Sequence, residues 1–488
     1  MQQNNTITIG NFNHSFLRLF MVVIVVILLA VYFLVNDLAM TLSILGAIGF
    51  VFVFFRVCWR LYQTGFDLFS PVNIFGGFLL LAYPIKSLYI LYTLSYGPFV
   101  TLNYKFILDE QHMLYFGAAL ALSSFCCILF LQIINVHWAK QTLNRPLLSI
   151  RVWSLQKMLL LMVGISLIIT VLFSWLITEA GGLKFYLQSV AGRQSFFYGR
   201  YYIYILIDLF PEVSCFYLAC QIERRNHYPA VFLLALITII TLMNLLVAVL
   251  AGNRSTFLIG FAIPMMVFWH YRVNAIKIMQ AVFMSGLILF ISLFYISTFR
   301  GGDIAGKLSL DNMQQSLFSS LSNISSSILG GPDLVQFDML MVTMREIPST
   351  HQYFNGDSIK AVLAFPIPRA FYPDKPVRGN WLFTDAVFPS WRVNLSGFTV
   401  SYLGDWYMNF GIVGAIIGMV LLGFGLRTLL LSLNPKTSWV SAVFYGLALS
   451  GILTIFRSDI FAIVNFGISL VFAVMIVTFC SSRKHTHD

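Results

Sequence analysis

Phe365-Pro366-Ile367-Pro368-Arg369-Ala370-Phe371-Tyr372-Pro373-Asp374-Lys375-Pro376-Val377-Arg378 lies inside Phe299–Ser401, the one long interval of this chain that cannot sit in a bilayer. The same interval opens on Arg300-Gly301-Gly302-Asp303 and runs up to Gly404-Asp405. Nearly everything on either side is hydrophobic and helix-length. The chain therefore divides into membrane helices over 1–298, a large loop over 299–401, and further membrane helices with a short tail over 402–488.

Composition agrees with that division. The 488 residues are 59% hydrophobic and 10% charged, with a mean hydropathy of +0.83. A soluble domain carries about 25% charged residues, so this is the composition of a polytopic membrane protein. The net charge of +11 does not indicate nucleic acid. Many Lys and Arg stand at helix ends, where they orient a membrane protein and meet anionic headgroups. The six cysteines, Cys58, Cys126, Cys127, Cys215, Cys220 and Cys480, fall within or beside apolar segments without metal-site spacing, and read as small buried hydrophobes. Residues 1–16 lack a basic n-region, and the apolar run after Leu17 is too long for a signal core, so it reads as an uncleaved span.

Apolar runs of about 20 residues, enough to cross a hydrocarbon core of about 30 Å, recur near 17–36, 38–57, 73–95, 113–134, 156–177, 201–220, 229–250, 255–270, 276–298, 404–431, 438–457 and 459–479. The expectation is an all-α bundle of about twelve transmembrane helices, roughly nine before the large loop and three after it. The 255–270 run is short and holds Pro264, which predicts a kinked or partly re-entrant segment. Arg56, Arg60, Lys140, Arg145, Arg151, Lys157, Arg224, Arg225, Arg272, Lys277, Lys436, Arg483 and Lys484 fall on alternate connections. The positive-inside rule then places both termini in the cytoplasm and 299–401 outside.

Arginine on the outer side runs against that bias, and it recurs: Arg193, Arg254 in Gly252-Asn253-Arg254-Ser255, Arg300, Arg369, Arg378 and Arg457. Guanidinium groups bind phosphate oxygens through paired, planar hydrogen bonds and stay charged. Lys375 joins them as a further cation. A recurring arginine at the outer mouth of a bundle points to an anion there, although a snorkelling interfacial anchor is the commoner role for any one of them. Asp405 stands where the loop re-enters the membrane, and His351 is the loop's one histidine; either could take a proton from an attacking hydroxyl. Lys86, inside the third span, needs a cavity or a counter-charge. Within the loop, 311–329 has helical apolar spacing and predicts an amphipathic interfacial helix. Trp381, Phe383, Phe388, Trp391 and Tyr402 would suit an interfacial or sugar-stacking surface. Gly414 and Gly418 predict close helix packing. No Walker A, Rossmann, Ser-His-Asp or metal-ligand pattern occurs. No cofactor or metal is expected.

Several stretches together resemble the Wzy-type O-antigen polymerases, the bacterial oligosaccharide repeat-unit polymerases. They are Gly252-Asn253-Arg254-Ser255, Phe299-Arg300-Gly301-Gly302, Pro366-Ile367-Pro368-Arg369 with Pro373-Asp374-Lys375-Pro376, Gly404-Asp405-Trp406-Tyr407-Met408-Asn409-Phe410-Gly411, and Arg457. The resemblance covers roughly 180–465. The family's acidic position before the aromatic-Asn-Phe-Gly run is often Glu; here it is the shorter Asp405. What the resemblance implies is a GT-C-like glycosyltransferase on the outer face of the bacterial inner membrane, acting in lipopolysaccharide biosynthesis. It would move a growing glycan from undecaprenyl diphosphate to a hydroxyl of the next undecaprenyl-diphosphate-linked repeat unit. On that resemblance Arg193, Arg254, Arg300, Arg369, Lys375, Arg378 and Arg457 would hold diphosphate, and Asp405 or His351 would serve as base. Its expected partners are those lipid-linked oligosaccharides and membrane lipid, with a chain-length regulator and a flippase expected from the family alone.

Three other readings stay open on residues alone. An O-antigen ligase would need the same cations. A GT-C enzyme using a monosaccharide phosphate lipid usually keeps an acidic residue in a substantial first outer loop, where this chain has little more than Asn36-Asp37. A flippase would show related halves and charges deep in many spans; no internal repeat is evident.

Overall fold

The computed structural model describes residues 38–64, 67–96, 113–135, 151–191, 201–224, 229–273, 329, 334–367, 371–389 and 399–483. Nine of its helices are long and apolar enough to cross a membrane. The chain is an integral membrane protein, all-helical among the described residues apart from one antiparallel pair of three-residue strands, Arg151–Trp153 and Ser481–Arg483.

The first described helix is α1 (Leu38–Gln63), followed by α2 (Pro71–Leu80), a π-turn at Leu81–Ile85, and α3 (Lys86–Tyr96). Then come α4 (Met113–Ile133), α5 (Leu155–Glu179), the short α6 (Leu183–Ala191), α7 (Tyr201–Glu223) and α8 (Ala230–Leu250). Next are α9 (Arg254–Phe257), a second π-turn at Leu258–Ala262, and α10 (Ile263–Arg272). Three short helices precede the C-terminal spans: α11 (Gln336–Glu346), α12 (Asp357–Ala364) and α13 (Gly379–Val387). The chain ends in α14 (Tyr402–Ser432), α15 (Trp439–Arg457) and α16 (Ala462–Cys480).

Nine of the twelve expected spans therefore correspond to described helices long and apolar enough to cross. Those at 17–36 and 276–298 lie outside the described residues, as does nearly all of the amphipathic stretch expected at 311–329. The 255–270 run is helix, but it is not among the nine long and apolar enough to cross. Its π-turn runs up to Pro264, as the first surrounds Pro84. Proline lacks an N–H and crowds the carbonyl one turn back, and an extra residue in the turn relieves that crowding. The Cys215 thiol lies 3.5 and 3.6 Å from the carbonyls of Gly260 and Phe261.

The interior is built around α7 and α15, each 83% buried over its apolar window, whereas α8 and α16 are only 22% buried and turn rows of Leu, Ile, Val and Phe outward. α1 packs chiefly on α4, and α10 on α15. At one end of the bundle, Asp67 accepts hydrogen bonds from His270 and Tyr271, and Tyr445 Oη donates to Phe69 O at 2.7 Å. Burial works against charge on Asp67, yet these donors and the Phe69 N–H hold its carboxyl below the usual range.

At the opposite end, α11 is sunk among α4 and α14. Lys86 finds its counter-charge there: its Nζ lies 3.3 Å from Asp338 Oδ2, both side chains at most 4% exposed, and it also donates to Leu329 O. Burial raises the proton affinity of Asp338, while Lys86 pulls the other way. Lys86→Met would leave a buried carboxylate uncompensated, at a cost of about 3–5 kcal/mol. The variant should reach the membrane at reduced level and melt earlier in detergent, and Lys86→Met with Asp338→Leu should recover most of the loss.

Candidate active site

The loop returns to the membrane at Ser401, whose positive φ of 67° turns the chain and whose Oγ accepts the Gly404 N–H to cap α14. Two turns later the helix breaks. Phe410 leaves helical geometry and Gly411 takes φ 66°, a backbone region suited to glycine. The break frees the Met408 carbonyl, which accepts the Phe354 N–H at 3.1 Å, and Asn409 Oδ1 accepts the Gly356 N–H at 2.9 Å. The segment Tyr402–Asn409 thus folds back on its own helix, with Trp406 lying against Gly418. Close packing was expected at Gly414 and Gly418; the groups filling that space are Trp406 and Phe410 of the same helix.

This short helical segment carries Asp405 into a wholly buried knot. Asp405 Oδ2 accepts the Ile460 N–H at 2.8 Å, and Oδ1 accepts from Asn409 Nδ2 at 3.0 Å. Asn409 Nδ2 also reaches Ser358 Oγ and the Asp405 carbonyl, both at 2.7 Å. A second buried carboxylate, Asp459, sits beside it in the α15–α16 turn. Its Oδ2 accepts from Arg378 Nε at 3.2 Å and from the Asn380 N–H at 3.0 Å, in the first turn of α13, where a helix favours negative charge. Ser458 Oγ donates to Oδ1 at 3.2 Å. Gly379 packs flat on Asp405: a Cβ there would lie 2.4 Å from Oδ2. The two carboxylates bind α12, α13 and the α15–α16 turn to the start of α14.

Cations ring this knot. Arg378 also lies over the Phe461 ring at 5.8 Å, and Phe461 meets Phe365 edge-on at 5.5 Å. Lys375 Nζ donates to the carbonyls of Phe365 and Ile367 at 2.8 and 3.0 Å and lies 5.4 Å from the Phe365 ring. Arg457 closes α15, two residues before Asp459. The structure thus places Lys375 and Arg378 at a rim around the α15–α16 turn, which Arg457 enters as the last residue of α15, with Asp405 buried behind it. His351 stands apart: its N–H bonds Glu346 O, and no hydrogen bond or ion pair joins it to the knot among the described residues. Burial opposes charge on Glu346, but bonds from Thr350 and Arg345, with His351 adding to the pull, keep its carboxyl below the usual range. Arg193, Arg300 and Arg369 lie outside the described residues. Arg254 opens α9, and its backbone alone is described. Among the aromatics expected to form a surface, Phe383 and Tyr402 are interior instead. Phe383 packs on Phe388, and Tyr402 Oη bonds Gly418 O. Apolar area gains more from burial than from display.

Beneath the rim is a cavity of about 180 Å3 between α7, α9 with its π-turn, α15 and α16. Asp208 and Glu212 line it from α7, Asn253 from just before α9 and Thr256 from within it. Thr454, Asn465 and Ser469 add polar groups from α15 and α16. The Asn253 side chain accepts the Ser255 N–H at 3.2 Å and donates to Thr256 Oγ1 at 3.0 Å, which in turn donates to Asp208 Oδ1 at 2.7 Å. The motif around Arg254 is therefore folded against the cavity wall. Sequence reasoning passed over Asp208, Glu212 and Asp459. Two acids four residues apart inside an apolar span were the available signal, since a buried ionisable group in a membrane helix is costly unless it serves a purpose.

A polytopic helical membrane protein with cations beside the α15–α16 turn and a cavity lined in part by carboxylates is the class that fold and site define. The family model for the O-antigen polysaccharide polymerase Wzy matches residues 9–485, so the chain belongs to that family. No curated protein and no solved structure matches it. Membership supports an O-antigen polymerase role with lipid-linked oligosaccharide substrates.

Proposed function

We propose that this protein polymerises O-antigen or a similar surface polysaccharide. It transfers the growing glycan from undecaprenyl diphosphate to a hydroxyl of the next undecaprenyl-diphosphate-linked repeat unit, on the periplasmic face of the bacterial inner membrane. The observation that carries this reading is the placement of Lys375 and Arg378 beside the α15–α16 turn, which Arg457 enters, next to a cavity lined in part by carboxylates and hydroxyls, in a chain of the Wzy family. Charge builds on the diphosphate as its bond to sugar breaks, and fixed cations at that point stabilise the transition state more than the ground state. Arg193, Arg254, Arg300 and Arg369 would complete the cationic ring. Asp405, buried and bonded to Asn409 and Ile460, acts in this reading as a positioning residue that holds the ring's supports in place. With 299–401 outside and both termini cytoplasmic, Arg60, Arg224 and Arg272 fall on the cytoplasmic side, as the positive-inside rule requires.

Surface polysaccharide from a strain deleted for the gene tests this. The ladder is expected to collapse to core bearing one repeat unit. Complete loss of capped core would favour a ligase or a flippase, and an unchanged ladder would exclude all three.

A further inference from the structure

The cavity under the rim holds a feature that packing does not explain. Glu212 is 5% exposed and stands in one of the two most buried helices of the bundle. Its Oε1 accepts from Ser469 Oγ, but its Oε2 meets no hydrogen-bond donor among the described residues. A buried carboxylate oxygen left without a donor costs free energy, and such groups persist where a ligand supplies the missing bond. The polar groups around it are hydroxyls, amides and a second carboxylate, Asp208, and apolar side chains such as Leu209, Leu447 and Phe466 line the rest, as the two faces of a sugar ring require. They can exchange hydrogen bonds with a neutral polyhydroxylated molecule, whereas a phosphate would meet two carboxylates.

We infer that this cavity is the acceptor-sugar pocket, with Glu212 Oε2 accepting a hydrogen bond from a hydroxyl of the incoming repeat unit's terminal sugar. The inference rests on the polymerase reading above. Size agrees: at the roughly 10–15 Å3 that one water-sized group requires, the cavity holds on the order of a dozen such groups, the bulk of one sugar ring. Position agrees as well. Asn253 and Thr454 line the cavity next to Arg254 and one turn before Arg457, and Ala462 lines it three residues after Asp459. A diphosphate at the rim would set its sugar's anomeric carbon at the cavity mouth, with the acceptor hydroxyl below it. The hydroxyl oxygen then bonds to that carbon, the carbon–oxygen bond to the diphosphate breaks, the electron pair leaves with undecaprenyl diphosphate, and the hydroxyl proton passes to Glu212.

The test uses the full-length protein in detergent and the oligosaccharide repeat unit freed by mild acid from the lipid-linked unit that accumulates in the deletion strain. The melting midpoint is followed as the oligosaccharide is titrated. Wild type should show a saturable upward shift. Glu212→Met should need at least tenfold more sugar for half the effect. Ser450→Leu, which fills the cavity without removing a tertiary hydrogen bond, should show no shift. If Glu212→Met does not fold, Ser450→Leu decides alone. Wild-type-like shifts in the variants, or no shift in wild type, would overturn the pocket. Wild-type membranes are assayed in parallel with the intact lipid-linked unit: failure to polymerise it removes the polymerase reading itself, while success with an indifferent pocket removes the pocket alone.

Discussion

A strain whose only copy of this chain carries Arg378→Ala is expected to make core capped by a single repeat unit, with polymer reduced about 100- to 1,000-fold, the usual cost of removing one group that stabilises transition-state charge. Two separable effects meet at this residue. Its Nε holds Asp459, whose side chain is 1% exposed, while the Arg378 side chain as a whole remains 36% exposed and so open to an incoming anion. Asp459 would keep the Asn380 N–H and Ser458, so the loss of stability should be about 1–3 kcal/mol. Immunoblots should therefore still find the variant in the membrane. Arg378→Lys keeps the charge but loses the planar fork and the fit over Phe461, and should restore a short ladder only. A full ladder in Arg378→Ala cells would remove this residue from the site.

A marked effect on folding is expected at Asp405. Asp405→Ala strands the Ile460 N–H inside the protein, worth about 1–3 kcal/mol when buried unsatisfied, and leaves Asn409 Nδ2 with Ser358 and the Asp405 carbonyl alone. The midpoint of thermal unfolding in detergent should fall sharply, and the ladder should fade with it. Asp405→Asn, whose amide oxygen can still accept from Ile460, should do less harm. Gly379→Ala should produce the same defect from the other side by driving a methyl into the carboxylate, at about 1–3 kcal/mol. Because the two changes meet, Gly379→Ala with Asp405→Ala should cost less than the sum of the singles. Simple additivity in the melting data would mean that Gly379 and Asp405 do not share one space.

Periodicity carried the membrane helices well, because nine apolar runs of spanning length need nothing from the rest of the chain to be helical. The break at Phe410-Gly411 was not legible: it depends on residues more than 50 positions upstream, with Phe354 and Gly356 bonding Met408 and Asn409 and Tyr353 packing on Gly411. Lys86 announced its need for a partner, but the identity of Asp338 follows only from where α11 lodges. At the site, arginines on the outer connections were conspicuous because they broke a charge rule, and so were Asp405 and its aromatic run. Glu212 and Asp208 were concealed by hydrophobic neighbours that averaged their charge away. Asp459 read as a mere turn residue until Asn380 and Arg378 closed on it.

The most direct test of the central claim needs no cell. Purified protein in phospholipid vesicles, given only the undecaprenyl-diphosphate-linked repeat unit, is predicted to yield a ladder of lipid-linked oligomers together with free undecaprenyl diphosphate, one per bond formed. Consumption of neither, with protein that is folded by its melting curve, would contradict it.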